Sequence, residues 1–213
     1  MPKTDKKIGI DLGLCNWMAD SDGKTMPRKD YTRKFALKLK FQQRKLKLLR
    51  KKGKKGALLQ KGSRKFSKIK LKIGKIHAKI GDLRRNNIHQ ETSKIINENQ
   101  VIVLESLKVK NMIRNKKLSK AIADASWGEV VRQLSYKANR KGRTLIQIDE
   151  WFPSSKKCCN CGNINKNLRL RDRIWQCPHC QMEHERDINA AKNILAHGLW
   201  VLASKETGSG AAA

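Results

Sequence analysis

Four cysteines constrain this chain more than any other feature of its sequence. They form two C-x-x-C pairs, Cys158 with Cys161 and Cys177 with Cys180, and fifteen residues separate the two pairs. This is the spacing of a tetrahedral zinc site on a ribbon, in which each of two turns presents two thiolates to one ion. The sequence therefore predicts a structural zinc ribbon over residues 153–186, stabilised by the metal rather than by a large core.

The remaining cysteines and the nearby histidines leave alternatives open. His179 and His184 lie in the second half of the ribbon and are alternative zinc ligands. Four thiolates already complete a closed structural site, so the all-cysteine set is favoured. Cys15 and Cys159 have no partner at a comparable spacing, which favours a reducing compartment over a disulfide framework.

The charge of the chain indicates a polyanionic partner. Lys and Arg number 49 against 18 Asp and Glu, a net charge of +31. A field of that size favours nucleic acid. A membrane is the rival partner, but the sequence lacks the apolar run of about 20 residues that a spanning helix needs. It also begins without a signal-peptide pattern. We expect a cytoplasmic, nucleoid-associated protein that is neither secreted nor membrane-bound.

The basic residues are concentrated in one part of the chain, predicted to be a helical insertion over residues 28–98. From Arg28 to Arg85 there are 24 Lys and Arg, with Asp30 and Asp82 as the only acids. So few acids leave almost no internal salt-bridge partners, which favours phosphate contact over a merely solvated face. The candidate contacts within this insertion are Lys38, Lys45, Lys68 and Lys72.

Apolar residues in the insertion recur three and four positions apart, which predicts a helical hairpin with a break at 53–62. Gly74 and Gly81 each cost roughly 1 kcal/mol inside a helix and make its continuity less certain. The predicted seam residues are Phe35, Leu39, Leu46 and Leu49 in the first helix, and Phe66, Ile69, Ile73, Ile76, Ile80 and Leu83 in the second.

The rest of the pattern predicts an α/β domain of mixed elements. Short β-branched or apolar runs predict buried strands, and longer runs with helical spacing predict helices. The expected elements are strands at 8–13, 101–105 and 144–149, a β-hairpin turn at 21–23, a helix at 121–139 closed by Gly142, and a helix that Asp187 opens.

Three acids occupy comparable places in these elements. Asp11 is expected in the middle of a strand, Glu105 at a strand end and Asp187 at a helix start. Each has an ordinary alternative as a turn acid, a surface acid or a helix cap. Gathered together they would repel one another unless divalent cations lie between them, and hard oxygen ligands suit Mg²⁺ or Mn²⁺. Two such ions stabilise the attacking and leaving oxygens of phosphodiester hydrolysis.

Four motifs in order resemble the TnpB (OrfB) family of transposon-encoded proteins, relatives of the type V CRISPR effectors. They are I-G-I-D-L-G, V-I-V-L-E-S-L-K-V-K-N-M, S-S-K-K-C-C-N-C-G and H-E-R-D-I-N-A-A-K-N-I-L. The resemblance implies an RNase H-like fold of the RuvC type with catalytic, magnesium-binding acids at Asp11, Glu105 and Asp187. It also implies zinc at the paired cysteines, and cleavage by a Mg²⁺-dependent endodeoxyribonuclease of DNA selected by a guide RNA.

The chain departs from the family in one respect. Family members usually carry a substantial part before the first acidic motif, which here begins within ten residues of Met1. The chain thus resembles the nuclease half, and a companion N-terminal half or longer polypeptide is a possible partner. The expected domains are a nuclease domain at 1–152 and 187–205, the ribbon at 153–186, and a linker or tail at 206–213 whose G-S-G-A-A-A is typical of such segments.

Two other functions remain open at this stage. The chain can be a non-cleaving nucleic-acid-binding or transposition accessory protein that uses the ribbon and the basic helices. Alternatively, the same ions can serve a transposase that transfers strands to a 3′-hydroxyl. Arg186 is a candidate phosphate contact, with a surface charge as its alternative. Four tryptophans are candidates for base stacking, although at least two are expected in the core: Trp127, Trp151, Trp175 and Trp200.

Overall fold

The computed structural model describes residues 4–49 and 64–206. The chain divides into two compact units, which we call the sheet unit (Met1–Lys29 and Ile88–Ala213) and the basic unit (Asp30–Asn87). Among the described residues, no helix combines the length and the apolar character needed to cross a membrane.

A mixed five-stranded sheet forms the centre of the sheet unit. The strand order is β3-β2-β1-β4-β5, in which β1 pairs antiparallel with β2 and parallel with β4, and β4 pairs parallel with β5. The predicted mixed α/β class is thereby confirmed. The strands are β1 (Lys7–Asp11), β2 (Asn16–Asp20), β3 (Thr25–Pro27), β4 (Val101–Glu105) and β5 (Thr144–Ile148).

Helices cover both faces of this sheet, which explains the continuous apolar run in β4. Ile102 and Leu104 belong to the larger core cluster, with residues of α3, α5 and α6. Val101 and Val103 belong to the smaller cluster, with Ile194 of α7. A strand buried on both faces loses the polar alternation of a one-sided sheet. The helices are α3 (Arg64–Glu98), α4 (Val109–Met112), α5 (Ser119–Ala125), α6 (Trp127–Lys141) and α7 (Arg186–Glu206).

Two glycines let α7 approach the sheet closely. A Cβ atom at Gly9 in β1 would lie 2.3 Å from the carbonyl oxygen of Ala191, and one at Gly198 in α7 would lie 2.3 Å from a methyl carbon of Val103. Neither distance is sterically possible. Glycine at both positions therefore allows the short distance between α7 and the strands β1 and β4.

The prediction of one helix over 121–139 is wrong, because the chain breaks at Ser126 between α5 and α6. Ser126 has φ 52°, a left-handed conformation that interrupts the helical hydrogen bonds. The carbonyl of Ala125 instead accepts a buried hydrogen bond of 2.9 Å from Trp17 Nε1. The predicted end at Gly142 is confirmed, with φ 62° at the cap of α6.

In the basic unit, α1 (Tyr31–Lys34) and α2 (Ala36–Leu48) precede the start of α3. Leu39 of α2 packs with Ile76 and Ile80 of α3 in a small apolar cluster. The predicted seam is confirmed at Leu39, Ile76 and Ile80, with Phe35 and Ile73 packed against them. The other predicted seam residues are not part of this cluster. The helix α3 runs without a break through both of its glycines. The predicted break at 53–62 lies outside the described residues.

Candidate metal centres and nucleic-acid surface

Asp11 and Glu105 end two neighbouring strands. β1 and β4 run parallel with Ile10 opposite Leu104, and the next residue along each strand is its last, Asp11 in β1 and Glu105 in β4. The prediction that Asp11 lies mid-strand is wrong, because the chain turns towards β2 directly after it. Carboxyl ends of parallel strands meet at one edge of a sheet, where ligand sites commonly form. Both acids therefore lie at that edge.

Asp187 approaches the same edge from α7. It is the second residue of that helix and lies in its first turn, and its side chain is 13% exposed. Asn16 Nδ2 donates to Asp187 Oδ2 at 3.0 Å, and Arg173 Nη1 lies 3.4 Å from Oδ1. Both oxygens of this carboxylate are thus oriented by side chains from other elements.

The electrostatics of Asp11 link the three acids. The pKa of Asp11 is raised from 3.8 to about 7, by burial first and then by the carboxylates of Asp187 and Glu105. Arg186 and Arg173 act in the opposite direction. Burial also raises the pKa of Glu105 to about 7, with Glu150 as the second cause. Like charges brought together under partial burial favour the protonated form.

These acids form an electrostatic cluster that is looser than a closed metal cage. Among the residues that the structure describes, they are not a set whose oxygens all lie within 4.8 Å of one another. Carboxylates without a cation between them repel, which opposes such close approach. Three carboxylate side chains at one edge of the sheet nevertheless fit a hard cation such as Mg²⁺, which oxygen ligands bind.

The sequence analysis missed three side chains at this edge. Glu150 lies two residues after the end of β5, so a strand-end position like that of Glu105 also points to it. Asn16 opens β2, and Arg173 precedes β6 (Ile174–Gln176) of the ribbon. No spacing signal connects Arg173 with Asp187, because their contact depends on how the ribbon folds back onto α7.

The four predicted zinc ligands come together in the structure. The sulfur atoms of Cys158, Cys161, Cys177 and Cys180 all lie within 4.8 Å of one another. Cys158 Sγ is 3.6 Å from Cys180 Sγ, and Cys161 Sγ is 3.6 Å from Cys177 Sγ. Tetrahedral zinc with bonds of about 2.3 Å requires sulfur atoms roughly 3.8 Å apart. The cluster is therefore compatible with zinc.

Two similar turns present these thiols. In the first turn, Gly162 N donates to Cys158 O at 2.9 Å, and in the second, Gln181 N donates to Cys177 O at 2.9 Å. Gly162 and Gln181 both have positive φ, at 78° and 59°. A left-handed residue directly after the second cysteine closes each turn, and β6 pairs antiparallel with β7 (Glu183–Glu185) beside them.

His184 lies beside the thiol cluster. Its ring is 7% exposed, and its Nε2 lies 3.0 Å from Cys158 Sγ. Burial lowers the pKa of His184, which favours the neutral imidazole. A neutral ring that donates to a thiolate supports it without replacing it. Cys15, which lies outside the thiol cluster, is exposed. Its sulfur atom accepts a hydrogen bond of 2.9 Å from Arg173 Nη2.

Two asparagines of α7 attach the ribbon to that helix. Asn189 Nδ2 and Asn193 Nδ2 donate to the carbonyl of Lys157 at 2.7 and 2.6 Å. Asn189 Oδ1 also accepts from Cys159 N at 2.9 Å. Both asparagines are buried, at 1% and 5% exposure. The first thiol turn is therefore held by the same helix that carries Asp187.

Three of the predicted phosphate contacts line one cavity of the basic unit. Lys45, Lys68 and Lys72 surround a volume of about 430 Å³ between α2 and α3. Lys38 is exposed and is not among the lining residues, whereas Lys65, which the sequence analysis did not select, is. The complete lining is Gln42, Lys45, Leu48, Leu49, Lys65, Lys68, Ile69 and Lys72.

Arg186 has a protein partner in this structure. Its Nη1 donates to the carbonyl of Leu170 at 2.6 Å, and its backbone N donates to Arg173 O at 2.8 Å. The guanidinium still acts electrostatically on Asp11. Arg186 therefore joins the ribbon to the start of α7.

Comparisons with known families match most of the chain. A family model named OrfB_IS605 and described as "Probable transposase" matches residues 1–116. A second, described as "Cas12f1-like, TNB domain", matches residues 127–194.

Similar curated proteins have related names. A "Putative RNA-guided DNA endonuclease" of Streptomyces pristinaespiralis is 38% identical over 93% of this chain and 46% of its own length. The "Putative RNA-guided DNA endonuclease InsQ" of Escherichia coli K12 is 32% identical over 93% of this chain and 50% of its own length. The chain therefore spans about half the length of these relatives.

Solved structures show the fold at lower identity. The chain resembles one in "Cryo-EM structure of the Cas12f1-sgRNA-target DNA complex", with a TM-score of 0.60 and 18% identity over 92% of this chain and 50% of that one. It resembles another in "Cryo-EM structure of CRISPR-Cas12f Ternary Complex", with the same TM-score and 23% identity over 92% of this chain and 40% of that one.

Proposed function

Because the chain belongs to the TnpB (OrfB) family, we propose that it forms the nuclease part of a Mg²⁺-dependent, RNA-guided DNA endonuclease. The observation that carries this proposal is the electrostatic linkage of Asp11, Glu105 and Asp187. Three acids from separate elements at one strand edge are unfavourable without a cation. Such an arrangement is common where a site serves chemistry rather than stability.

The sheet unit is proposed to have an RNase H-like fold of the RuvC type. The strand order β3-β2-β1-β4-β5, antiparallel on one side of β1 and parallel on the other, supports this assignment. So does the placement of the acids on β1, β4 and the start of α7. The proposal thus has support from topology and from the site.

Each acid has a defined task in this proposal. Asp11, Glu105 and Asp187 would hold two Mg²⁺ ions, which when bound supply the positive charge that stabilises the attacking and leaving oxygens of phosphodiester hydrolysis. Asp11 would bind in its ionised form, because a nearby positive charge lowers the pKa of a carboxyl group and so opposes the effects of burial and of the neighbouring carboxylates. Asn16 and Arg173 hold the carboxylate of Asp187 in one orientation.

Zinc is proposed at the four cysteines with a structural role. The closed set of thiols supports that role. The hydrogen bonds of Asn189 and Asn193 to the ribbon would then help to hold the start of α7 in place once the ribbon is folded around zinc. His184 would donate to the Cys158 thiolate, orienting it as outer residues do in other zinc sites.

Guide RNA, target DNA and the remainder of a longer nuclease are proposed as partners. The relatives' names and the titles of the similar structures support the two nucleic acids. The lysines around the basic cavity are proposed to contact phosphates, and a net charge of +31 supports a location at the nucleoid. A companion polypeptide would supply what the other half of the relatives contains.

The test is cleavage of single-stranded and guide-paired DNA with Mg²⁺. We expect cleavage to stop with EDTA and in Asp11→Ala, Glu105→Ala and Asp187→Ala, while DNA binding persists. Glu98→Ala is the matched control, since Glu98 is an exposed acid at the end of α3. Analysis of co-purifying RNA, with this chain alone and with a longer relative, tests the guide and the companion.

Other outcomes identify the rival functions. Cleavage that persists in all three acid variants contradicts the assignment of the site. Binding without cleavage by the wild type, with guide and longer partner supplied, indicates a non-cleaving binding protein. Products joined to a supplied 3′-hydroxyl indicate strand transfer instead of hydrolysis.

A further inference from the structure

The four tryptophans that the sequence offers for stacking have very different environments. Trp127 and Trp175 are 2% and 6% exposed and belong to core clusters, as expected for at least two of them. Trp151 is 81% exposed and Trp200 is 57% exposed. A single exposed tryptophan is not unusual in itself. The position of Trp151 in the fold says more about its role than its exposure does.

Trp151 lies at the edge of the sheet where the acids gather. Ile148 is the partner of Glu105 across β4 and β5, and Trp151 follows it by three residues. Its neighbour Glu150 is close enough to raise the pKa of Glu105. Residues at the carboxyl ends of adjacent parallel strands face the same crevice. The indole ring is therefore a neighbour of the proposed cleavage site.

The backbone around Trp151 is fixed although its ring is exposed. Trp151 N donates to Asp149 Oδ1 at 2.7 Å. The next residue, Phe152, is stacked on His197 of α7, with ring centroids 4.2 Å apart and an interplanar angle of 6°. Phe152 is anchored to the core while Trp151 is held outward. The backbone that carries the ring therefore needs little ordering on binding, which lowers the entropic cost of using the ring as an aromatic surface.

A lysine accompanies this ring. Lys108 Nζ lies 6.0 Å from the centroid of Trp151 and forms an ion pair with Glu150. The lysine side chain is 64% exposed, so it can contact a phosphate beside a stacked base. Aromatic rings combined with cations are the usual means of holding unpaired bases of single strands.

We propose that Trp151 is a stacking platform for one unpaired base of the DNA strand that is cut, next to the bond at the acid site, with Lys108 on the adjoining phosphate. This inference rests on the proposed nuclease function. It goes further by naming the residue that positions the strand and the part of the substrate it contacts.

The test measures binding in the Asp11→Ala background with Mg²⁺, so that the strand stays intact. A fluorescent single-stranded DNA is compared with versions in which one base at a time is replaced by an abasic site. We expect Trp151→Ala to weaken binding about tenfold, and Trp151→Phe to restore most of it. Trp200→Ala, the control at another exposed tryptophan, should bind as the parent does.

The abasic scan makes the result specific. In the Trp151 protein, one abasic position should weaken binding as much as Trp151→Ala does, and in Trp151→Ala the same position should cause no further loss. The proposal is overturned if Trp151→Ala and Trp200→Ala bind the DNA equally well. It is also overturned if the loss of binding caused by the abasic site is the same in Trp151→Ala as in the Trp151 protein. A loss confined to RNA of the same sequence overturns the assignment to the cut DNA strand.

Cleavage by the wild type is scored separately, so the two proposals fail in different ways. If the wild type cleaves but Trp151→Ala leaves both binding and KM unchanged, the nuclease assignment stands and the stacking role falls. If the wild type does not cleave, the nuclease assignment falls, and the abasic scan still decides whether Trp151 stacks on a base.

Discussion

The thiol cluster and the acid cluster are built in opposite ways. The four sulfur atoms come from two turns between Cys158 and Cys180 and lie within 4.8 Å of one another. The acids come from β1, β4 and α7, spread from Asp11 to Asp187, and do not meet that spacing in the part of the chain that the structure describes. Short-range turns gather the thiols, whereas long-range packing gathers the acids.

This difference matches two kinds of metal site. A structural zinc site is closed by four protein ligands and stabilises its own fold. A catalytic site keeps room for substrate, so its carboxylates are placed by a scaffold that is stable without them. Removing a thiol should therefore damage local folding, whereas removing an acid should spare the fold.

The largest effect on stability is expected at the thiol cluster. Cys177→Ser should abolish zinc binding and unfold the ribbon, because structural zinc supplies on the order of 10 kcal/mol to such a segment. Zinc content and hydrogen exchange over residues 153–186 measure this. Cys159→Ser is the control, since Cys159 lies outside the thiol cluster. If the ribbon kept its protection from hydrogen exchange without zinc, the thiol cluster would not differ from the acid cluster in its effect on folding.

A smaller effect is expected where α7 meets the sheet. Gly9→Ala should lower the free energy of unfolding by about 1–3 kcal/mol, because the new methyl overlaps the backbone of α7. Gly81→Ala in α3 should instead raise it by about 1 kcal/mol, since nothing lies within 4 Å of the new methyl there. Urea unfolding of the zinc-loaded protein measures both. Loss of cleavage in Gly9→Ala with stability unchanged would show that α7 placement matters only for the site.

The third effect concerns the dependence of stability on pH. The pKa of Asp11 is raised from 3.8 to about 7 on folding, so the folded state binds more protons than the unfolded state between these values. Stability without Mg²⁺ should therefore fall as pH rises from about 4 to about 7. Asp11→Asn should reduce this slope and be more stable than the parent above pH 7, in thermal melts with zinc retained.

Glu105 supplies the check on that experiment. Its pKa is also raised, from 4.5 to about 7, so part of the slope should remain in Asp11→Asn. Mg²⁺ should raise the melting temperature of the parent more than that of the variant, because a ligand stabilises the state it binds. A variant that melts below the parent at pH 8 would contradict the repulsion within the acid cluster.

Several elements could be predicted because their signals are local. The strand Val101–Glu105 and the helix end at Gly142 were predicted at the positions the structure gives. The break at Ser126 was not predicted, because the left-handed residue there is a serine and not the glycine that usually marks such a position. Trp17 stabilises that break from a distant strand, and no spacing rule connects Trp17 with Ala125.

The site shows the same limit. Glu150 follows a predicted strand, so it could have been predicted from the sequence in the same way as Glu105. Arg173 reaches Asp187 only because the ribbon folds back onto α7. Arg186, which was predicted to contact a phosphate, donates to the carbonyl of Leu170 in the structure. Contacts between elements far apart in sequence depend on packing angles, which residue patterns do not encode.

The sequence by itself determined the pairing of the four clustered thiols, the basic character and the family, since each depends on residue type, spacing or motif order. Tertiary structure decided which acids meet, how far apart they lie, and which tryptophans face solvent. The physical reason is that α7 packs closely on β1 at Gly9 and on β4 through Gly198. That approach brings Asp187 to the edge where Asp11 and Glu105 end their strands.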